Sequence, residues 1–207
     1  MRYRRLLVLL LLLWAVLAVV GAAHHDLAAD SKPFLAGRLL VASKNLRDPK
    51  FMHSVVYLVR HDATGALGVI VNRPGKSFPL AELLKGFGLE PGEESRTMHR
   101  HFGGPVATQA LFFLHTPDFT GETTITADDG LAMTADRGIL QAIAENRGPA
   151  KMKIMVGYSG WGAGQLEAEI ARGDWLDAAA DPRDVLDSHG DAKAQWQRAR
   201  DKAGLTL

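Results

Sequence analysis

The residues with the most chemical potential lie in one stretch, Gly157-Tyr158-Ser159-Gly160-Trp161-Gly162-Ala163-Gly164-Gln165, with four glycines in eight positions. An apolar run, Ile154-Met155-Val156, leads in, and a helix-like run, Gln165-Leu166-Glu167-Ala168-Glu169-Ile170, leads out. A serine between strand and helix suggests a nucleophile elbow, whose Gly-x-Ser-x-Gly pattern exposes the hydroxyl on a sharp turn. Here the last glycine is replaced by Trp161, and the one histidine downstream that could serve as base is His189, with Asp184 or Asp187 nearby. A phosphate loop requires Gly-x-x-x-x-Gly-Lys-Ser/Thr; Gly157 and Gly162 have the spacing, but Ala163-Gly164 follow. The dinucleotide pattern Gly-x-Gly-x-x-Gly fails at Gln165. Backbone amides at a helix N-terminus can still hold an anion. The competing reading is packing, with the glycines letting Trp161 and the helix fold back onto the strand.

Two further constellations matter. His99-x-His101 places two imidazoles on one side of a strand, because side chains alternate with period two. His53, His61 or His115 could complete a metal site, but there is no cysteine and no His-Glu-x-x-His. The expectation is therefore no metal and no cofactor. Asn72-Arg73-Pro74 ends a strand with an arginine that could clamp a carboxylate or phosphate, or tie down a loop carbonyl. With the glycine turn Gly103-Gly104-Pro105-Val106, these residues define an expected ligand site. It comprises Asn72, Arg73, Gly103, Gly104, Gly157, Tyr158, Gly160, Trp161, Gly162 and Gln165, with glycine amides and Arg73 meeting the ligand and the two aromatic rings walling it.

The elements that must position these residues follow from periodicity and punctuation. Strands are expected over 34–42, 54–60 and 66–72, the last two joined as a hairpin by a loop of four or five residues. Arg73-Pro74-Gly75 should stop the third strand. Short helices are expected over 80–85, 135–146 with Thr134 as its cap, and 165–172, and a tail helix over 191–202. Residues 88–96 read as an exposed loop; strands follow at 99–102, 110–115 and 151–158, and 123–126 is a candidate to pair near the second of these. Trp175-Leu176 reads as a docking pair for the core. Hairpin-rich strands with few helices predict an α+β fold.

The N-terminus carries a different signal. Met1-Arg2-Tyr3-Arg4-Arg5 is basic, residues 6–20 are apolar, and Gly21-Ala22-Ala23 offers a cut before His24. This is the pattern of a signal peptide, with an uncleaved anchor as the alternative. The division expected is 1–23 export segment, 24–33 linker and 34–207 a single domain, placed in the periplasm or anchored in the inner membrane facing out. Without the three arginines of the first 23 residues the formal charge of +1 becomes −2. A mildly acidic domain lacks the electrostatic footprint of a nucleic-acid binder.

Several blocks together resemble the bacterial AlgH/YqgE family. They are Gly37-Arg38-Leu39-Leu40-Val41-Ala42, Asp48-Pro49-Lys50-Phe51, Ser54-Val55-Val56-Tyr57-Leu58, Gly68-Val69-Ile70-Val71-Asn72-Arg73-Pro74, Gly103-Gly104-Pro105-Val106, Leu114-His115, and the glycine-tryptophan stretch through Glu167. The resemblance runs from about Phe34 to the C-terminus. It implies a curved, barrel-like, mostly antiparallel sheet with flanking helices, and it supplies no catalytic residue. The family's usual label, transcriptional regulator, rests on an association with control of alginate production. Alanine is common in the family where this chain has Ser159. The chain departs from the family pattern in its export segment and in Ala107-Thr108-Gln109-Ala110, where an arginine is often found. The leading expectation is a non-enzymatic binding module for a small anionic ligand or a protein partner. The alternatives are a cytosolic regulator, if residues 1–23 do not direct export, and a serine hydrolase built on Ser159.

Overall fold

The computed structural model describes residues 34–187 and 190–204. The export segment and linker expected over 1–33 lie outside the described residues, as does His189. Among the described residues no helix is long and apolar enough to cross a membrane.

Strands β1 (Arg38–Ala42), β2 (Val55–Asp62) and β3 (Gly65–Ile70) are β-branched and leucine-rich, and they pair as an antiparallel meander. The β2–β3 loop is tighter than its sequence suggests. Asp62 pairs with Gly65, so only Ala63 and Thr64 turn, and the Asp62 carboxylate accepts the Thr64 amide at 2.8 Å. His61 and Asp62 look like turn residues but continue the ladder.

The chain then forms β4 (Pro74–Pro79), helix α1 (Leu80–Gly86), β5 (Thr97–Phe102), β6 (Val106–His115), β7 (Ile125–Thr126) and β8 (Ala132–Thr134). Pro74 therefore opens a strand, β3 having already ended at Ile70. β4 pairs only with β5 and carries its prolines at its two ends, where a missing amide donor is tolerated. Helix α2 (Gly138–Ala144) is shorter than the apolar periodicity predicts. Thr134 is not its cap: it ends β8, buried, with its hydroxyl 2.9 Å from His115 Nε2. Asp136 begins the turn instead, accepting the Gly138 amide at 2.8 Å. The remaining elements are β9 (Met152–Gly162), α3 (Gln165–Ala171), β10 (Trp175–Ala179), α4 (Pro182–Asp187) and α5 (Ala192–Gly204).

The strand order is β10-β1-β2-β3-β9-β6-β8-β7, with β5 added to β9 in parallel and the other pairings antiparallel. The fold is α+β, as expected. The sheet is not closed, because β10 and β7 end the path without meeting. Along β9, alternate residues serve different cores. Met152 and Ile154 pack with Leu80 and Leu84 of α1 and with Ile139 and Ile143 of α2. Met155 and Trp161 join the larger core of β1, β2 and β3, to which α5 contributes Trp196.

β9 spans the whole architecture because it changes partners midway. Residues 154–156 pair with β5 and β6, and residues 159–162 pair with β3. The change falls at Gly157, at φ +71°. Gly103 donates to Val156 O at 2.9 Å and accepts from Ile70 N at 2.8 Å, lacing β3 to β9 at this point. A Cβ on Gly103 would lie 2.3 Å from Gly157 O, and one on Gly157 would lie 2.5 Å from Gly104 O. The backbones touch where any side chain would separate them. Gly157-to-Trp161 is thus continuous strand, and the turn into α3 is confined to Ala163 and Gly164.

Substituting Gly157→Ala is expected to cost at least about 2 kcal/mol, since both φ and the facing backbone oppose it. Gly164→Ala, at φ +72° but with no heavy atom within 4 Å, is expected to cost only about 1 kcal/mol. Urea denaturation of both variants checks the contrast, and equal losses would contradict the junction.

Candidate functional site

The residues singled out from sequence fall into two linked groups. The first surrounds the glycine junction. Gly103, Gly104 and Gly157 meet there as described, and Arg73 joins them through its carbonyl, which accepts Phe102 N at 3.0 Å. Asn72 is buried with its amide engaged on both sides: Oδ1 accepts Val55 N at 2.8 Å, and Nδ2 donates to His53 O and Ala192 O, each at 2.9 Å. It ties β2, the preceding loop and α5 together. The Arg73 guanidinium donates to Lys50 O and Met52 O, on either side of Phe51, and lies 5.9 Å from the Phe102 ring. Its fork of donors holds a loop. Ser159 is fully buried within β9 and donates to Gly103 O at 3.2 Å, so it does not sit on an exposed turn.

The second group lies at the far end of β9. The Glu169 carboxylate accepts the indole N–H of Trp161 at 2.9 Å and that of Trp175 at 2.8 Å. Gln165 donates to the same carboxylate at 3.0 Å and accepts Gly162 N at 3.1 Å. Phe51 packs on both indoles, with ring centroids 6.2 and 5.6 Å away, so Arg73 links the two groups by fixing the Phe51 loop. Tyr158 is half-buried edge-on to Phe112, and exposed Gly160 passes beside the Tyr158 ring. This network welds α3 and β10 to β9 with every indole donor satisfied.

The histidines do not gather. His61 receives Leu35 N at 3.0 Å and faces Glu167 at 3.0 Å, His115 is buried against Thr134, and His53 packs on the Trp196 ring. Among the described residues there is no cluster of three or more His, Asp or Glu placed to hold a metal. His99 and His101 do share a face of β5, and there they meet a residue that sequence reading passed over.

That residue is Lys153. It sits in the apolar run Met152-Lys153-Ile154-Met155-Val156 and is only 1% exposed. His101 lies opposite Met155 in the parallel β5–β9 pairing, so His99, His101, Lys153 and Met155 share one face. A cleft of about 450 Å³ opens on that face, lined by Arg96, His99, His101, Lys151, Lys153 and Asp187, among others. The one carboxylate in this set, Asp187, is already bound by Lys151 at 2.6 Å. Lys153 donates to Val71 O at 3.3 Å. Burial pushes its ammonium down to about 8, which Asp187 only partly opposes. A lysine inside an apolar strand run is visible in the sequence, but its neighbours His99 and His101 are set by the β5–β9 pairing.

A family model described as AlgH-like matches residues 39–207. A UPF0301 protein of Methylococcus capsulatus is 41% identical over 83% of this chain and 93% of its own length. One from Ruegeria pomeroyi is 42% identical over 83% of this chain and 92% of its own length. The solution structure of AlgH from Pseudomonas aeruginosa aligns with a TM-score of 0.68 at 34% identity, covering 84% of this chain and 91% of that one. A Corynebacterium diphtheriae protein shares the fold, with a TM-score of 0.56 at 22% identity over 74% of this chain and 80% of its own.

The depressed Lys153 ionisation makes a pH-dependent prediction. Below about 8 the ammonium is charged in both folded and unfolded chains, and its burial cost is fully present. Between about 8 and the ordinary 10.5 the unfolded chain binds more protons, so stability rises with pH. Measured against Lys153→Met, the wild type should gain up to about 3 kcal/mol across that interval in urea denaturation. A difference constant with pH would contradict the buried charge.

Proposed function

This chain belongs to the AlgH-like family, and we propose that its domain is a non-enzymatic binding module for a small anion, seated in the cleft at Lys153. The supporting observation is the concentration of basic groups there. Arg96, His99, His101, Lys151 and Lys153 line one cavity whose lining holds one carboxylate, Asp187; Arg96 is ion-paired with Glu94 and Lys151 with Asp187, so His99, His101 and Lys153 are the basic groups beyond those two pairs. The domain without residues 1–23 has a formal charge of −2, so this concentration runs against the average of the chain.

An anion entering the cleft would meet a buried ammonium in low-dielectric surroundings, where attraction between opposite charges is stronger than in water. The two imidazoles add ring nitrogens that can donate hydrogen bonds to it. Lys153 is fixed on the central strand, so the binding group does not have to be ordered when ligand arrives. The glycine-tryptophan half of β9 serves the site by holding that strand in register.

Sulfate and malonate are suitable probes because neither changes charge between pH 7 and 10. Calorimetric titration should show one binding event at pH 7. Affinity should fall by about tenfold or more in Lys153→Met, and it should weaken in the wild type as pH rises through and above about 8. Absence of binding by either anion, or unchanged affinity in Lys153→Met, would overturn the proposal.

A further inference from the structure

A second cavity lies between α4 and α5, over the ends of β1, β2 and β3. Its volume is about 450 Å³, within the range of small-molecule sites. Its floor is apolar: Leu39, Val55, Val71, Val185 and Ala199 line it. Three polar features distinguish it from a packing defect. Gln195 of α5 lines the cavity, is 7% exposed, and its Nε2 has no hydrogen-bond partner among the described residues. Arg183 of α4 and Arg198 of α5 line the same cavity, and among the described residues neither has a carboxylate at ion-pair distance. Asp184 and Asp187 also line the cavity, but both are ion-paired, Asp184 with Lys202 of the same lining at 2.7 Å and Asp187 with Lys151 at 2.6 Å.

We propose that this hollow is a second binding site, for a small carboxylic acid with an apolar body. The apolar floor would take the hydrocarbon, whose burial is favourable in proportion to its area. Arg183 and Arg198 would face the carboxylate, for which a guanidinium is the best-matched partner. Gln195 Nε2 would donate to a carboxylate oxygen and so acquire the acceptor it lacks. A buried amide donor without a partner is destabilising, and such groups are rare in folded proteins unless something satisfies them. A strongly hydrated inorganic anion would waste the apolar floor, and an uncharged hydrocarbon would leave both arginines and the amide unmet. The reading stands apart from the Lys153 cleft, which lies on the other side of the end of α4 and shares only Asp187 with this one among the residues lining both.

The test uses the full-length chain and octanoate, with octylamine as the charge-reversed control, in calorimetric titrations at pH 7. Octanoate is expected to bind at a single site, and octylamine at least about tenfold more weakly. Gln195→Leu should reduce octanoate affinity about tenfold while raising the Tm of the ligand-free protein by several degrees, because it removes an unmet donor. Arg198→Gln, at an exposed position, should reduce affinity by a similar factor without a change in Tm. Lys153→Met should leave octanoate binding intact. Absence of binding, equal binding of octylamine, or unchanged affinity in both Gln195→Leu and Arg198→Gln would overturn the proposal. Loss of octanoate binding in Lys153→Met would also overturn it, by moving the ligand to the other cleft.

Discussion

The structure depends on one close contact between backbones. Gly103 and Gly104 press against Gly157 and Tyr158 so tightly that an added Cβ would meet backbone atoms at 2.3 to 2.5 Å. Because no side chain separates them, Gly103 can hydrogen-bond to β3 on one side and to β9 on the other. β9 can then pass from β5 to β3 without breaking. A single eleven-residue strand thereby carries both hydrophobic cores. The conformational entropy given up by the glycines is offset by a sheet that would otherwise be two sheets.

The two halves of β9 do different work. Its C-terminal half is saturated with internal contacts: Trp161, Trp175 and Gln165 converge on Glu169, and Phe51 covers the indoles. Its N-terminal half keeps a buried ammonium in an otherwise apolar run. Replacing such a charge with a hydrophobic residue of similar size is commonly neutral or favourable for folding. Burial lowers the pKa of the Lys153 ammonium, a stability cost that the C-terminal half of the strand does not carry. Tyr57 shows the contrasting case of a buried polar group fully committed to structure, its hydroxyl bonded to Asp129 and its pKa raised by burial and by that carboxylate.

Much of the fold was legible in the residues. A β-branched and aromatic run placed β2, a hairpin turn placed β3 beside it, glycines and prolines marked most turns, and the blocks around Asn72-Arg73-Pro74 and the glycine-tryptophan stretch pointed to the family. The errors have local physical causes. Gly160 and Gly162 read as a corner, yet the ladder to β3 continues through both. Thr134 reads as a helix cap, but its hydroxyl is taken by His115 across the sheet. The convergence of Asn72-Arg73 with Gly103-Gly104 and Gly157 was readable because three glycine-rich turns must pack somewhere. Lys153 was not, because its placement beside His99 and His101 requires the parallel register of β5 on β9, a long-range pairing that no local pattern encodes.

The division of labour along β9 can be observed directly by mapping backbone and indole chemical shifts during a titration of the full-length chain with malonate. The shifts should concentrate at residues 96–101 and 151–153, while Arg73, the Trp161 indole and the amides of residues 160–165 stay still. Movement of Arg73, Trp161 and residues 160–165, with Lys153 and its neighbours unaffected, would contradict the account and place the ligand at the glycine-tryptophan stretch.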